Sequence, residues 1–409
     1  MKNILLLTPI YPASDLPTNT PVVHYFTKEW VKMGYKVVVI NYAVNFPSII
    51  HWAAKPIHKL LESKYGSVVR LQQTTIADYE LDGVNVKRIP LKKYAPHTRY
   101  SSNEINNATI LTIEYCKSIQ FSPDVIISHW INPQLDIMDR LKRHYKVPTC
   151  YIAHDTGRDL KTIYKKEART FLNNIDLIGY RCDYIKEEFE SYFNYYDKKS
   201  FLCYSGIPEK FIETLNSHKR NSNLCNRIIY VGTLISRKYP SKIIPACINS
   251  FKNQNFSITY IGEGNENKTI KELASKYKIE NQVKLLGRIK REDVIKQLQQ
   301  NDIFIMISKN ETFGLVYLEA MAAGCITIAS KNEGFDGIIK DGFNGFLCKA
   351  GDEIELAHIL EKINKLSPKK REEISRNAVE TAKHLTDTNV ARTYIKAVEE
   401  IVNNVDRHK

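Results

Sequence analysis

Two carboxylates, Glu311 and Glu319, flank a single glycine, Gly314, in the run NETFGLVYLEAMAAGC at residues 310–325. Leu315, Leu318, Met321 and Ala322 recur at helical spacing, so the glycine sits where a helix begins. The first turn of a helix carries unpaired N–H groups and a partial positive charge, which suits phosphate oxygens. A glycine there lets a ligand approach the backbone closely. Carboxylates accept paired hydrogen bonds from sugar hydroxyls. One short stretch could therefore hold a diphosphate flanked by two sugars, as in a nucleotide-sugar. The bland alternative is a buried helix after a loop, with Glu319 solvated or capping. The elements around the stretch must decide between them.

Those elements alternate. In the first half, residues 3–7 read as a strand, 15–21 as a polar loop, 22–33 as a helix closed by Gly34, and 36–40 as the next strand. This is a βαβ unit and implies a parallel sheet. Further short apolar strands are expected at 84–89, 124–128, 149–153 and 176–179, with His129-Trp130 and His154-Asp155 at strand ends, where such sheets bind ligands. An irregular insertion is expected at about residues 45–107. It holds an apolar stripe from Trp52 to Leu61 edged by lysines, and a run from Val84 to Asn103 without an acid. Such a stripe could lie on an anionic membrane or pack as a lid.

A polar linker at 216–226 precedes a second alternating unit. Its strands are expected at 227–231, 257–261, 282–286, 303–307 and 325–329, the last completing the sheet. Helices are expected at 266–278 and 292–300, and a final one at 387–405. The reading is α/β, with two doubly wound Rossmann-like domains at 1–206 and 207–386 facing a cleft. The C-terminal helix, at about 387–409, would pack back on the first domain.

Composition narrows the function classes. The chain has 409 residues, with no apolar run of membrane-spanning length and only four apolar residues before Thr8-Pro9 at its start. Eight scattered cysteines without metal spacing suggest reduced thiols in a cytoplasmic protein. A net charge of +14 points to an anionic partner, whether nucleic acid, a membrane or a phosphorylated substrate, or else reflects a Lys- and Asn-rich composition set by codon bias. Basic residues are spread over both halves and no RNP, KH or zinc-finger pattern occurs, so nucleic acid is not expected.

Taken in order, VGTLISRK, YIGEG, VKLLGRI, NDIFIMIS, NETFGLVYLEAMAAGCITIAS and IIKDGFNGFL resemble family 4 glycosyltransferases, which have the GT-B fold, use nucleotide-sugar donors and retain the anomeric configuration. The resemblance is strong over 228–347 and weaker before it. It implies that Glu319 binds the ribose hydroxyls and that Glu311 lies by the donor sugar. The backbone at Phe313, Gly314 and Leu315 would meet sugar hydroxyls and diphosphate. Lys238, six residues after Gly232, matches the lysine on the diphosphate. Where the family often has arginine after that glycine, this chain has Thr233, and Arg237 is expected to supply the charge. Arg288 falls in the loop by the base. Gly262-Glu263-Gly264 is either part of that neighbourhood or a structural turn. In the first half, His154 matches the histidine near the reacting carbon, Asp155 orients or caps, and His129 is either a site or a structural residue. The first loop, YPASDLPTNTPVVHYF, lacks the family's glycine pair and offers Asn19 and Thr20 instead.

The resemblance implies a retaining transferase that moves a sugar, UDP-linked by family frequency, to a glycan acceptor. A lipid-linked acceptor at the inner membrane face, in capsule or O-antigen assembly, fits the basic charge. No D-x-D triplet occurs, and neither a metal nor another cofactor is expected. The alternatives are a GT-B nucleotide-sugar epimerase and a non-enzymatic basic binding protein.

Overall fold

The computed structural model describes residues 1–16, 19–47, 74–94, 98–194, 198–213, 225–252 and 255–406. They group into two compact units, one of residues up to 204 together with those from 387 on, the other of 205–386.

Unit one runs β1 (Asn3–Thr8), α1 (Val22–Lys32), β2 (Lys36–Asn45), β3 (Ala77–Leu81), β4 (Val84–Lys92), α2 (Ser102–Ser118), β5 (Val125–His129), α3 (Gln134–Tyr145), β6 (Thr149–Ala153), α4 (Arg158–Tyr164), α5 (Ala168–Asn174), β7 (Leu177–Tyr180), α6 (Asp183–Phe193) and β8 (Ser200–Leu202). The sheet order is β3-β4-β2-β1-β5-β6-β7-β8. Every pairing is parallel except β3 with β4. Ile4–Leu7 and Val125–Ile127 are fully buried, because helices cover both faces of a parallel sheet and its strands become continuous apolar runs. Chain order reverses between β1 and β5, so the loops after β5 and β6 open beside a topological switch point.

Among the described residues, the part of the insertion expected at 45–107 that follows residue 73 is more regular than the sequence suggested. β4 pairs with β2 over eight residues, and β3 folds back on it through Asp82-Gly83, both in the left-handed region. An Asp-Gly turn between two strands is the usual hairpin connection. Three cations of its basic run have acidic partners within the unit: Lys87 meets Asp78 at 2.8 Å, Arg88 meets Asp15 at 2.8 Å, and Arg99 meets Asp136 at 2.6 Å. The stripe from Trp52 to Leu61 lies outside the described residues.

Unit two runs α7 (Lys210–Glu213), β9 (Arg227–Val231), α8 (Ile243–Phe251), β10 (Ser257–Ile261), α9 (Glu266–Lys276), β11 (Val283–Leu285), α10 (Arg291–Gln299), β12 (Ile303–Ile305), α11 (Leu315–Ala322), β13 (Ile326–Ser330), β14 (Phe346–Cys348), α12 (Glu353–Lys365) and α13 (Pro368–His384). Its six parallel strands are ordered β11-β10-β9-β12-β13-β14. The strand expected at 325–329 does not complete the sheet; β14 does, at three residues too short for periodicity to announce it. Here the order reverses between β9 and β12, so the loops after Val231 and Ile305 flank the crevice.

The last helix, α14 (Asp387–Asp406), belongs to unit one and packs on α1. Trp30 Nε1 donates to the Ala391 carbonyl at 3.0 Å, the Tyr35 hydroxyl donates to Glu399 at 2.7 Å, and Tyr394 meets Phe26 and Trp30 edge-on. All eight cysteines are buried free thiols, and no described helix is long and apolar enough to cross a membrane.

Candidate active site

In unit two the loops at the switch point bring together residues far apart in sequence. Gly232 follows β9, and the chain turns through Ser236–Lys238. After β12, residues 306–314 lead into α11. Lys238 Nζ lies 3.1 Å from Glu311 Oε2, with both side chains 15% exposed. The contact is ionic rather than an aligned hydrogen bond, since Oε2 is buried and has no directed donor.

Arg237, expected to supply a second charge for the diphosphate, is bonded here to the neighbouring loop. One of its guanidinium nitrogens donates to the Lys309 and Asn310 carbonyls, at 3.1 and 3.3 Å, and its own carbonyl accepts from Lys309 N at 2.8 Å. It clamps the loop that presents Glu311.

Gly314 caps α11 with φ of 78°. A Cβ there would lie 2.5 Å from the Tyr317 ring, so the fold itself requires the glycine. Tyr317 is locked in turn: its hydroxyl donates to the Met306 carbonyl at 2.7 Å and its ring stacks on Phe335. Phe313 is 4% exposed and packs edge-on against Phe335, so its backbone rather than its ring is what it can offer a ligand. Leu315 is the first residue of the helix.

Glu319 is 6% exposed and faces Arg291, the first residue of α10. Arg291 Nε donates to Glu319 Oε1 at 2.7 Å, and its terminal nitrogen lies 2.6 Å from the same oxygen. Burial pushes the Glu319 carboxyl up, and Arg291 works against that by favouring the charged form. The Arg291 guanidinium also lies over the Phe211 ring at 5.1 Å. Arg288 is exposed in the loop after Gly287.

Sequence reasoning missed Arg291, Glu333 and Gly334. The Glu333 carboxylate accepts from Glu311 N at 2.8 Å, while Gly334 N donates back to the Glu311 carbonyl at 2.8 Å. A Cβ on Gly334 would come within 2.5 Å of the backbone at 311–313, so only glycine lets the two loops touch. The one signal was the Glu-Gly dipeptide shortly after a strand. Gly262-Glu263-Gly264 is a structural turn. Gly262 and Gly264 face the Gly232 and Leu234 carbonyls, where Cβ atoms would lie at 2.0 and 2.2 Å.

In unit one the strand-end histidines touch. His129 Nδ1 is 3.0 Å from His154 Nε2, and His129 Nε2 is 3.3 Å from the Tyr394 hydroxyl. The Trp130 indole stacks on the His154 ring at 3.9 Å with an 11° tilt. Burial, helped by the nearby Arg181 cation, holds both imidazoles neutral, well below the usual histidine range. Asp155 accepts from Gly157 N at 2.7 Å, and burial pushes its carboxyl up to about 6. In the first loop Asn19 donates to the Tyr11 carbonyl at 2.6 Å, so it braces the loop.

Residues 213–381 match the family described as glycosyl transferases group 1. Unit two is a group 1 glycosyltransferase domain. The group 1 domain thus contains Lys238, Glu311 and Glu319 together. Among curated proteins the chain is similar to the uncharacterized glycosyltransferase MJ1178 of Methanocaldococcus jannaschii, 26% identical over 59% of this chain and 66% of that protein. It is also similar to the N-acetyl-alpha-D-glucosaminyl L-malate synthase of Bacillus anthracis, 31% identical over 38% of this chain and 39% of that protein. The matched stretches therefore span less than two thirds of either relative. Anabaena HepE, solved with UDP, superposes with a TM-score of 0.67 over 98% of this chain and 100% of that one, at 17% identity. The fold that accompanies the group 1 domain is GT-B.

Proposed function

We propose that the chain is a retaining glycosyltransferase that moves a sugar from a nucleotide-sugar to a glycan acceptor. The observation that carries this reading is the Lys238–Glu311 contact at the head of α11, assembled from two loops at the switch point of the second sheet.

The reaction follows from charge. The bond between the anomeric carbon and the diphosphate oxygen breaks, and its electron pair leaves with the phosphate. The acceptor oxygen forms the new bond on the same face, and its proton passes to the departing phosphate. Lys238 and the N–H groups at Gly314 and Leu315 stabilise the leaving group, where negative charge develops. When a diphosphate occupies the site, it competes with Glu311 for Lys238. Glu311 then turns to the donor sugar hydroxyls. Glu319, whose charged form Arg291 favours, takes the ribose hydroxyls, and His154 contacts the donor sugar. Arg237 acts through the loop it clamps.

UDP is the nucleotide we infer, supported by family usage and by the UDP complex of the structurally similar HepE. A lipid-linked acceptor at the inner membrane face fits the net charge of +14. The test is release of nucleoside diphosphate across a panel of nucleotide-sugars, with and without glycan acceptors, followed by NMR of the product's anomeric centre. Acceptor-dependent release with retention is the expected result, and Glu311→Ala should cut turnover by about 100-fold or more. Donor conversion with no acceptor would assign an epimerase instead, and Glu311→Ala with turnover near wild type would remove Glu311 from the chemistry.

A further inference from the structure

The first loop of unit one joins β1 to α1 and contains no glycine. β1 stands at the switch point, so this loop flanks the place where parallel sheets take ligands. Locally, Leu16 N donates to the Ala13 carbonyl at 3.0 Å and Asn19 N to the Leu16 carbonyl at 3.1 Å. Stronger restraints come from the β3–β4 hairpin, whose bonds to the loop and to α1 span 58 to 73 residues of sequence.

Arg88 makes the tightest of these. It lies in β4 between Asn41 on β2 and Ala77 on β3, so its backbone is held on both sides and cannot follow the loop. It is 2% exposed. Its two terminal nitrogens donate to the two oxygens of Asp15 at 2.9 and 2.8 Å, and its Nε donates to the Thr75 carbonyl at 2.9 Å. A buried guanidinium that loses its carboxylate is costly, so Arg88 holds Asp15 and the loop around it in place. Nearer β1, the Tyr79 hydroxyl donates to the Pro12 carbonyl at 2.8 Å. The hairpin is itself anchored on α1. His24 Nε2 lies 2.9 Å from the Asp82 carboxylate, and a Cβ on Gly83 would lie 2.9 Å from the Val31 side chain. The other ring nitrogen of His24 is 2.8 Å from the hydroxyl of Tyr11, a fully buried residue of the same loop. The hairpin thus restrains the loop at Pro12 and Asp15 while resting on the helix that the loop leads into.

We propose that the β3–β4 hairpin is a brace that sets the first loop in the shape that receives the sugar acceptor, with Arg88 and Tyr79 as positioning residues that act through Asp15 and the Pro12 carbonyl. The acceptor half of this inference rests on the glycosyltransferase reading; the brace does not. A glycine pair lets a loop approach a ligand through the freedom of its own backbone. This loop has tethers from a distant hairpin instead. A loop held in its bound shape spares the acceptor the entropy of ordering it, so the brace acts on acceptor affinity and leaves donor affinity alone.

The test is hydrogen-exchange mass spectrometry of the full chain, followed by steady-state kinetics with a donor and acceptor that support turnover. Tyr79→Phe keeps the ring and removes one hydrogen bond. Amides of the first loop should then exchange about fivefold faster, while those of β5 keep the wild-type rate. Tyr79→Phe/Arg88→Met also removes the buried cation and frees Asp15. First-loop exchange should rise at least about 20-fold. Acceptor KM should rise at least about threefold with donor KM unchanged, since apparent affinity falls with the fraction of molecules in the competent shape. Arg88→Lys keeps the charge but cannot span both oxygens of Asp15, and should fall between the wild type and the double variant. Wild-type exchange of the first loop in Tyr79→Phe and Arg88→Lys overturns the brace, as does equal acceleration in β5. A loosened loop with unchanged acceptor KM, or with both KM values raised alike, overturns the positioning role. If the wild type turns over no nucleotide-sugar, the functional reading fails, and the exchange measurement still decides the brace by itself.

Discussion

Glu319 and Arg291 show how a single contact serves two ends. Glu319 is nearly buried, and Arg291 is its cation. Removing the cation leaves a buried charge, so Arg291→Ala should destabilise the protein by about 2–4 kcal/mol in denaturant titration, at the lower end because Arg291 is 30% exposed. Adding Glu319→Gln should return most of that stability while nucleotide affinity stays lost; recovery of both would show that Glu319 does not touch the ribose. Asp155 gives a pH signature. Its carboxyl rises from 3.8 unfolded to about 6 folded. The folded state therefore binds more protons than the unfolded one between those values, and its stability falls as pH rises through them. Asp155→Asn keeps the acceptor for Gly157 N and should raise the melting temperature above pH 6, with a gain of at most about 3 kcal/mol, and leave it unchanged near pH 3. At this scale the sequence was readable where chemistry and spacing coincide in one helix, as at Glu311, Gly314 and Glu319. Arg291 was not readable, because its partner lies 28 residues away and its own run, KRED, looks like any charged helix start. Arg237 was ambiguous for a related reason: a cation in a loop does not reveal whether it serves a ligand, the loop's own carbonyls or both.

Elements place these residues through glycines and through one helix that crosses from the end of the chain. The loops after β9 and β10 touch at Gly262 and Gly264, where side chains would overlap backbone carbonyls. Gly262→Ala puts a Cβ 2.0 Å from the Gly232 carbonyl with φ of 134°, and should cost at least about 4 kcal/mol or prevent folding. A soluble Gly262→Ala variant with the wild-type denaturation midpoint would show that the two loops have room to separate. Parallel strands were legible in sequence because burial on both faces makes each an apolar run bounded by polar loops. β3 was not, since its residues alternate exposed and half-buried on a sheet edge, and only Asp82-Gly83 marks the turn. The pairing of α14 with α1 is decided by Trp30, Tyr35 and Tyr394, whose contacts span more than 300 residues and leave no local trace.

Over the whole molecule, the net charge of +14 remains after the internal ion pairs are counted, because pairing moves no charge out of the chain. The acceptor-side reading predicts from the sequence that the protein floats with anionic vesicles at low salt and is released as salt rises. Absence of flotation at low salt would remove the membrane from the account. Lys87, Arg88 and Arg99, part of the basic run that suggested a membrane edge, have acidic partners within unit one. Such a surface would therefore have to come from other lysines. The two-unit α/β organisation was legible in outline, since a doubly wound unit repeats its strand–helix alternation. Sugar and acceptor identity was not, because a few side chains decide it and the first loop departs from the family pattern. The central claim, that the group 1 domain binds a nucleoside diphosphate between Lys238, the head of α11 and Glu319, is tested most directly by thermal unfolding with UDP. UDP at 100 times its dissociation constant should stabilise the wild type by about 2.7 kcal/mol and leave Glu319→Ala unshifted. If neither UDP nor any other nucleoside diphosphate moves the wild-type transition, the claim is contradicted.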